Sequence, residues 1–146
     1  MQPTMISTNL NKRDVDRVRP VAYVSLQELS ARERITGILE RAGWTVILRP
    51  TGFHLIQSIA GVIEGRQPWL RPGLIVVDAH SRGCAGTTIA GGLPRLGIKV
   101  PVVEIAPAGE ALPVSPDETL RIVDSGSAGA AVAELAGEAS AFPVID

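Results

Sequence analysis

Asp78 is the residue whose type and position best suit chemistry, because it ends the apolar run LIVVD and opens the loop HSRGCAG. A carboxylate there can cap the following turn, pair with a cation or join a metal site. The same loop carries an imidazole, a guanidinium and a thiol, from His80, Arg82 and Cys84. An imidazole can bind a metal and a thiolate can react. The sequence therefore places its candidate site at this loop.

Alternating strands and helices position that loop. VAYV predicts a first strand and WTVIL a second, and each is followed by a stretch with helical apolar spacing. The helices end near Gly43 and Gly65, a typical place for a helix to stop. The apolar positions predicted for the first helix are Leu29, Ile35, Ile38, Leu39 and Ala42, and those for the second are Phe53, Ile56, Ile59, Ala60 and Ile63.

The second half of the chain continues the alternation. LIVVD has the continuous apolar character of a strand buried on both faces of a parallel sheet. TTIAGGLPRLG predicts a helix weakened by Gly and Pro, KVPVVEIA a fourth strand, LRIV a fifth, and SAGAAVAELAGEA a last helix. Four prolines and glycines between Ala106 and Thr119 predict that the fourth helix is shortened or replaced by a loop. We therefore predict a doubly wound five-stranded parallel α/β sheet with helices on both faces.

In such sheets, binding and catalytic residues usually lie in the loops at the carboxyl ends of the strands, because helices cover the two faces. The predicted site residues at this edge are Ser25 and Leu26 after the first strand, Asp78 after the third, Ala106 after the fourth and Asp124 after the fifth.

Composition narrows the classes of protein. The 146 residues fit one domain, predicted over 20–137, with a flexible arm at 1–19 and a tail or linker at 138–146. A net charge of -1 argues against binding of nucleic acid by this domain. One cysteine, no signal peptide and no apolar run long enough for a membrane predict a soluble, cytoplasmic protein.

The run LIVVDAHSRGCAG resembles the central motif of response-regulator receiver domains, in which a strand-end Asp is followed by glycines here matched by Gly83 and Gly86. The resemblance extends from about Val21 to Ala136, because ILERAGWTV and KVPVVEI also have the family's order. It implies a flavodoxin-like (CheY-like) fold, no enzymatic activity, and two-component or phosphorelay signalling with Asp78 as the phospho-acceptor. It also implies a protein partner, which is a sensor kinase, an output domain or another regulator, and it is compatible with a homodimer.

Most of the side chains that support phosphorylation in this family are missing from the sequence. The resemblance implies two acidic Mg²⁺ ligands at Ser25 and Leu26, a hydroxyl at Ala106, and a Lys at Asp124 or Ser125. Neither Leu nor Ala can supply the required oxygen, and a carboxylate at 124 would repel a phosphoryl group. We predict no cofactor, with Mg²⁺ at most weakly bound through Asp78 and assisted by Gln27 or Glu28.

The leading hypothesis is thus a pseudo-receiver that acts by protein-protein interaction with impaired or absent Mg²⁺-dependent phosphorylation. The fourth and fifth elements are its predicted docking face. The alternative is a working phospho-acceptor that uses Asp78. A third interpretation gives Asp78 only a turn-capping role, and a salt bridge from Arg82 to Asp78 or Asp124 is a further hypothesis.

A ligand-binding alternative uses the same loop. DAHSRG matches the D-x-H-x-x-G signature of cobalamin-binding domains, which would make His80 the cobalt ligand and Asp78 its partner. That family places the motif after its first strand, whereas here it follows the third. The other chemically versatile side chains have structural interpretations: surface for His54, and core packing for Cys84, Trp44 and Trp69.

Overall fold

A computed structural model describes residues 19–78, 89, 92–106 and 119–140. Its sheet has five parallel strands in the order β2-β1-β3-β4-β5. The strands are β1 (Val21–Ser25), β2 (Thr45–Leu48), β3 (Pro72–Asp78), β4 (Val102–Ala106) and β5 (Leu120–Asp124). This is the flavodoxin-like order, so the predicted fold class is confirmed.

Three α-helices lie in the described ranges: α1 (Leu29–Arg41), α2 (Gly52–Glu64) and α3 (Ala128–Ser140). Two short 3-10 helices, Pro68–Leu70 and Leu93–Leu96, precede β3 and β4. Helix α2 begins with Thr51, whose hydroxyl accepts a hydrogen bond from the His54 amide at 3.1 Å. This cap satisfies a backbone donor that the first turn cannot.

Two hydrophobic clusters fill the two faces of the sheet, as the doubly wound arrangement requires. On the first face, α1 and α3 cover Ala22, Val24, Leu74 and Val76. On the second face, α2 and the segment around Leu93 cover Tyr23, Ile75 and Val77. The strand LIVVD is buried on both faces because its alternate residues belong to different clusters.

The predicted buried face of α2 is confirmed in part, because Ile56 and Ile63 pack against the cluster that contains Ile59. Among the five apolar positions predicted, only Ile59 is fully buried, and Phe53 is 52% exposed. The helix instead buries Gly52, Leu55 and Val62 beside Ile59. Because α2 is apolar almost all round, its sequence offers two stripes, and packing against β1 and β3 selects one of them.

Two further burial predictions are corrected. Leu29, predicted on the core side of α1, is 59% exposed because α1 begins with it and buries Ala31, Ile35 and Leu39 instead. Ala42 lies beyond the helix end and is exposed. Trp69, predicted to pack in the core, is 50% exposed in the 3-10 turn before β3.

Trp44 does pack in the core, where it links β2, β3 and α3. It is 3% exposed, and its indole N–H donates to the Ala136 carbonyl at 3.2 Å. The register of β1 against β3 shifts by one residue, from Val21 opposite Pro72 to Ala22 opposite Leu74, which makes Gly73 the extra residue of a bulge. A Cβ on Gly73 would lie 3.2 Å from the Trp44 ring, so glycine there leaves space for the indole.

Tyr23 is a buried phenol in the centre of β1. Its hydroxyl donates to the Leu70 carbonyl at 2.8 Å, and burial raises its pKa above the ordinary 10.0, partly offset by Arg49. The neutral phenol therefore stabilises the fold fully below pH 10, and this contribution is lost as pH rises through the folded-state pKa.

We expect the free energy of unfolding to fall above pH 10 in the wild type and to fall less in Tyr23→Phe. Because Tyr23 is the only tyrosine of the chain, its tyrosinate absorbance reports this ionisation alone. At neutral pH, Tyr23→Phe should cost about 1 kcal/mol for the lost hydrogen bond. Equal alkaline loss in both proteins would contradict the assignment.

Several predictions lie outside the described residues: nearly all of the arm, the tail from 141, the fate of the fourth helix at 107–118, and most of the weakened helix before Leu93. No helix in the described ranges has the length and apolar character needed to cross a membrane.

Candidate functional site

Asp78 is the last residue of β3, the central strand of the sheet, and it lies at the carboxyl edge as predicted. Its Oδ2 accepts a hydrogen bond of 2.7 Å from the backbone N–H of Gln27 in the loop after β1. Its Oδ1 is buried and, within the described part of the chain, has no hydrogen-bond partner. Asp78 therefore joins the loop after β1 to the end of β3 through one oxygen, while the other has no partner among the described residues.

Ser25 and Leu26, at the end of β1, are both buried. Leu26 is 5% exposed and belongs to the cluster with Ala31 and Ile35 of α1. Ser25 is fully buried, and its Oγ, like Asp78 Oδ1, has no partner in the described ranges. Strand alternation puts Ser25 on the face of Tyr23 and Asp78 on the opposite face, with Leu74 and Val76. The two side chains therefore leave the sheet in different directions.

Gln27 and Glu28, which were predicted to assist a metal, are engaged elsewhere. The Gln27 side-chain amide donates to the Pro50 carbonyl at 3.0 Å. Glu28 Oε1 accepts from the Ser30 hydroxyl at 3.0 Å, beside the start of α1. Among the described hydrogen bonds, Gln27 contacts Asp78 through its backbone, and assistance to a metal by these side chains stays a prediction.

Ala106 and Asp124 are opposite each other where β4 and β5 end. Asp124 Oδ1 accepts from the Ser127 amide at 2.7 Å, which closes the turn that leads into α3. Arg34 of α1 donates to the Ser125 carbonyl at 3.2 Å and holds this turn from the other side. Asp124 is therefore a turn-stabilising residue, the role that sequence reasoning considered for Asp78.

These residues do not fit a Mg²⁺ ion of the kind the family resemblance implies. Mg²⁺ requires several oxygen ligands in octahedral geometry. Asp78 supplies a carboxylate, but Leu26 supplies an apolar side chain and Ser25 lies on the other face of the sheet. In the described part of the chain, no three His, Cys, Asp or Glu side chains are grouped to hold a metal.

Two features were missed at the sequence level. The Gln27 amide is a backbone donor, and no side-chain pattern identifies it. Glu104, an acid only 9% exposed, was also missed, although it lies inside β4 and not at the strand end; its signal was a charged residue inside the apolar run VVEIA. The loop residues His80, Arg82, Gly83, Cys84 and Gly86 lie outside the described residues, so their predicted roles stay predictions.

The chain is similar to known proteins in its structure alone. A scan of protein-family models and a search of curated proteins found no match. Solved structures do match: a receiver domain protein from Bacillus halodurans has a TM-score of 0.61 at 13% identity, over 82% of this chain and 96% of that one. The signal receiver domain of NarL from Mycobacterium tuberculosis has a TM-score of 0.60 at 12% identity, covering 84% and 97%.

A mutant receiver domain of the histidine kinase CKI1 from Arabidopsis thaliana has a TM-score of 0.62 at 14% identity, over 89% of this chain and 97% of that chain. The described chain thus has the fold of response-regulator receiver domains, and the predicted resemblance is confirmed at the level of the fold. At these identities the likeness concerns architecture, so function has to be argued from the site.

Proposed function

We propose that this chain is a receiver-like signalling module of a two-component or phosphorelay system that acts in the cytoplasm through protein-protein contacts. In this proposal, Mg²⁺-dependent phosphorylation of Asp78 is impaired or absent, and the chain has no enzymatic activity. The partner is a sensor kinase, an output domain or another regulator. The observation that carries the proposal is the core packing of Leu26 at a position where the family resemblance implies a metal-binding acid.

The chemistry of phosphoryl transfer supports this proposal. Transfer to a carboxylate requires positive charge, from Mg²⁺ or a cation, to offset the charge on the phosphoryl oxygens. The predicted strand-end positions hold Asp78, Asp124, a buried serine, a leucine and an alanine. Within the described ranges no cation pairs with Asp78, because the Arg34 and Arg49 guanidinium groups at this edge bond to Ser125, Ser58 and Leu48 instead. A phosphoryl group on Asp78 would add negative charge without described compensation.

The hydrogen bond from Gln27 N–H to Asp78 supports a fixed rather than a switched state. This 2.7 Å bond joins the loop after β1 to the end of β3 through a backbone donor, which holds one carboxylate oxygen in place. Ala106 supplies no hydroxyl that could follow a phosphoryl group and transmit a change of shape. A permanently formed surface at this edge is therefore the proposed recognition element.

The proposal predicts the outcome of treatment with a small-molecule phosphodonor and Mg²⁺. Intact-mass spectrometry should show no phosphoryl adduct on the wild type, because the site lacks compensating charge. A receiver domain with both metal-binding acids, treated in parallel, shows that the donor is active. Asp78→Asn provides the matched variant, and an adduct present in the wild type but lost in this variant would overturn the proposal.

A second candidate function is a working phospho-acceptor, and one observation favours it. Asp78 Oδ1 is buried without a partner among the described residues, so this oxygen remains available to form a bond. Under this alternative, Arg82 or His80 would supply the missing positive charge. The same mass measurement separates the two candidates, because only the second predicts an adduct that depends on Asp78.

A further inference from the structure

A groove between α1 and β2, which we call the α1–β2 surface, lies on the side of the sheet away from β4 and β5. Its lining residues are Leu29, Arg32, Glu33, Thr36, Gly37, Glu40 and Leu48, and its volume is about 370 Å³. Leu29 and Leu48 are 59% and 42% exposed, which makes them two of the four large exposed apolar residues in the described ranges. The surface therefore combines apolar side chains with charges of both signs.

Buried polar atoms without partners mark the same groove. Within the described ranges, four buried side-chain atoms lack a hydrogen-bond partner. Ser25 Oγ and Asp78 Oδ1 belong to the strand-end site, and the other two, Arg32 Nε and Thr36 Oγ1, line this groove. Buried polar groups are normally paired, so each exception requires an explanation. Both atoms are covered in the isolated chain, so a second polypeptide would bond to them only after the Arg32 and Thr36 side chains turn outward towards it.

Strand β2 adds an open backbone edge to the groove. It is the last strand on its side of the sheet. The amides of Thr45 and Arg49 donate to the Pro20 and Val24 carbonyls, so they point towards β1. By strand alternation, the amides of Val46 and Leu48 point outward. The strand TVIL carries none of the charges or prolines that usually protect an edge from pairing with another chain.

The helical wall of the groove is complementary to itself. Arg32, Thr36 and Glu40 follow each other at intervals of four residues and so lie along one side of α1. When two copies of α1 pack antiparallel about Thr36, Arg32 of one copy meets Glu40 of the other, and the contact occurs twice. The Arg41 guanidinium lies over Gly37, 3.1 Å from the place of a Cβ, and has to move aside when a second helix docks there. In the described part of the chain, neither Arg32 nor Glu40 has an ion-pair partner.

We propose that a second copy of this chain docks on the α1–β2 surface in a two-fold symmetric dimer. The axis passes beside Thr36 and the midpoint of β2, so that the two β2 edges pair antiparallel and the sheets join. Leu29 and Leu48 lose their exposure, and Arg32 pairs with Glu40 across the axis. Such an isologous contact uses the same surface on both subunits. The proposal does not depend on Asp78 or on its phosphorylation.

Charge reversal tests this dimer. Sedimentation velocity over a range of concentrations should show a dimer for the wild type. Arg32→Glu and Glu40→Arg should each weaken self-association by about a hundredfold, because each creates two like-charge contacts per dimer. Glu64→Arg, which makes the same charge change as Glu40→Arg at an exposed position of α2, is the matched control and should leave the dimer unchanged.

Mixing the two variants is the decisive measurement. In a heterodimer of Arg32→Glu with Glu40→Arg, both contacts regain opposite charges, so the mixture should dimerise where each variant alone does not. This recovery also shows that both variants are folded. A wild type that stays monomeric at all concentrations would overturn the proposal, and so would a dimer that survives both reversals or a mixture that does not recover.

Discussion

Replacing Leu26 with aspartate is expected to lower the free energy of unfolding by about 3–5 kcal/mol, because it removes a core side chain and buries an uncompensated charge. Leu26 is 5% exposed among the residues that pack under α1, and the new carboxylate would share its face of the sheet with Asp78. Urea unfolding followed by far-UV circular dichroism measures the loss. The result tests directly whether position 26 has become part of the core.

Leu29→Asp is the matched control for this prediction. It makes the same chemical change three residues later, at an exposed position in the first turn of α1, where a negative charge is favoured. Its free energy of unfolding should change by less than about 0.5 kcal/mol in equally dilute protein. If Leu26→Asp were as mild as Leu29→Asp, position 26 would tolerate a metal-binding acid and the pseudo-receiver proposal would lose its main support.

Truncating Trp44 to alanine should also cost about 3–5 kcal/mol, because the indole fills the space between β2, β3 and α3. The change would empty the volume over Gly73 and leave the Ala136 carbonyl without its indole donor. Thermal or urea unfolding followed by circular dichroism avoids a readout that depends on tryptophan fluorescence.

Trp69→Ala provides the comparison, since this indole is 50% exposed in the turn before β3. Its truncation should cost less than about 1 kcal/mol. Trp44→Phe should fall between the two alanine variants, because it keeps most of the packing and loses the hydrogen bond. Similar costs for the two alanine variants would contradict the central role assigned to Trp44.

The fold was predictable from sequence because its signals are local and repeated. A strand buried on both faces must be apolar on both, and the four residues LIVV before Asp78 meet this condition. Glycines near the ends of α1 and α2 limited the helices to within a few residues of their observed bounds. The order of strands then followed from general rules for parallel α/β sheets.

The face that each helix buries was less predictable. In α2, Ile56 and Ile63 lie at the edge of the buried stripe of Leu55, Ile59 and Val62, whereas Phe53, equally apolar, is exposed. Spacing alone cannot choose between two apolar stripes on one helix, because both satisfy the same period. The choice depends on the side chains of β1 and β3 that the helix meets, and these are distant in the sequence.

For the candidate site too, the sequence predicted the positions of the residues but not their contacts. The sequence identified Ser25, Leu26, Asp78, Ala106 and Asp124 as strand-end residues, and all of them lie at the carboxyl edge of the sheet. It did not reveal that Ser25 and Asp78 point to opposite faces, or that Asp124 closes its own turn. Such details depend on strand register and on backbone donors, which side-chain identity does not encode.

Residue types alone determined that this chain forms a five-stranded α/β sheet, and they predict that most of the phosphorylation residues implied by the receiver resemblance are replaced. Tertiary structure decided that Leu26 is a core residue, that Asp78 bonds to the Gln27 amide, and that Arg32, Thr36 and Glu40 line an open groove beside β2. The reason is physical. Hydrophobic periodicity and composition determine the secondary structure of a single segment, whereas burial and hydrogen bonding depend on segments that meet only after folding.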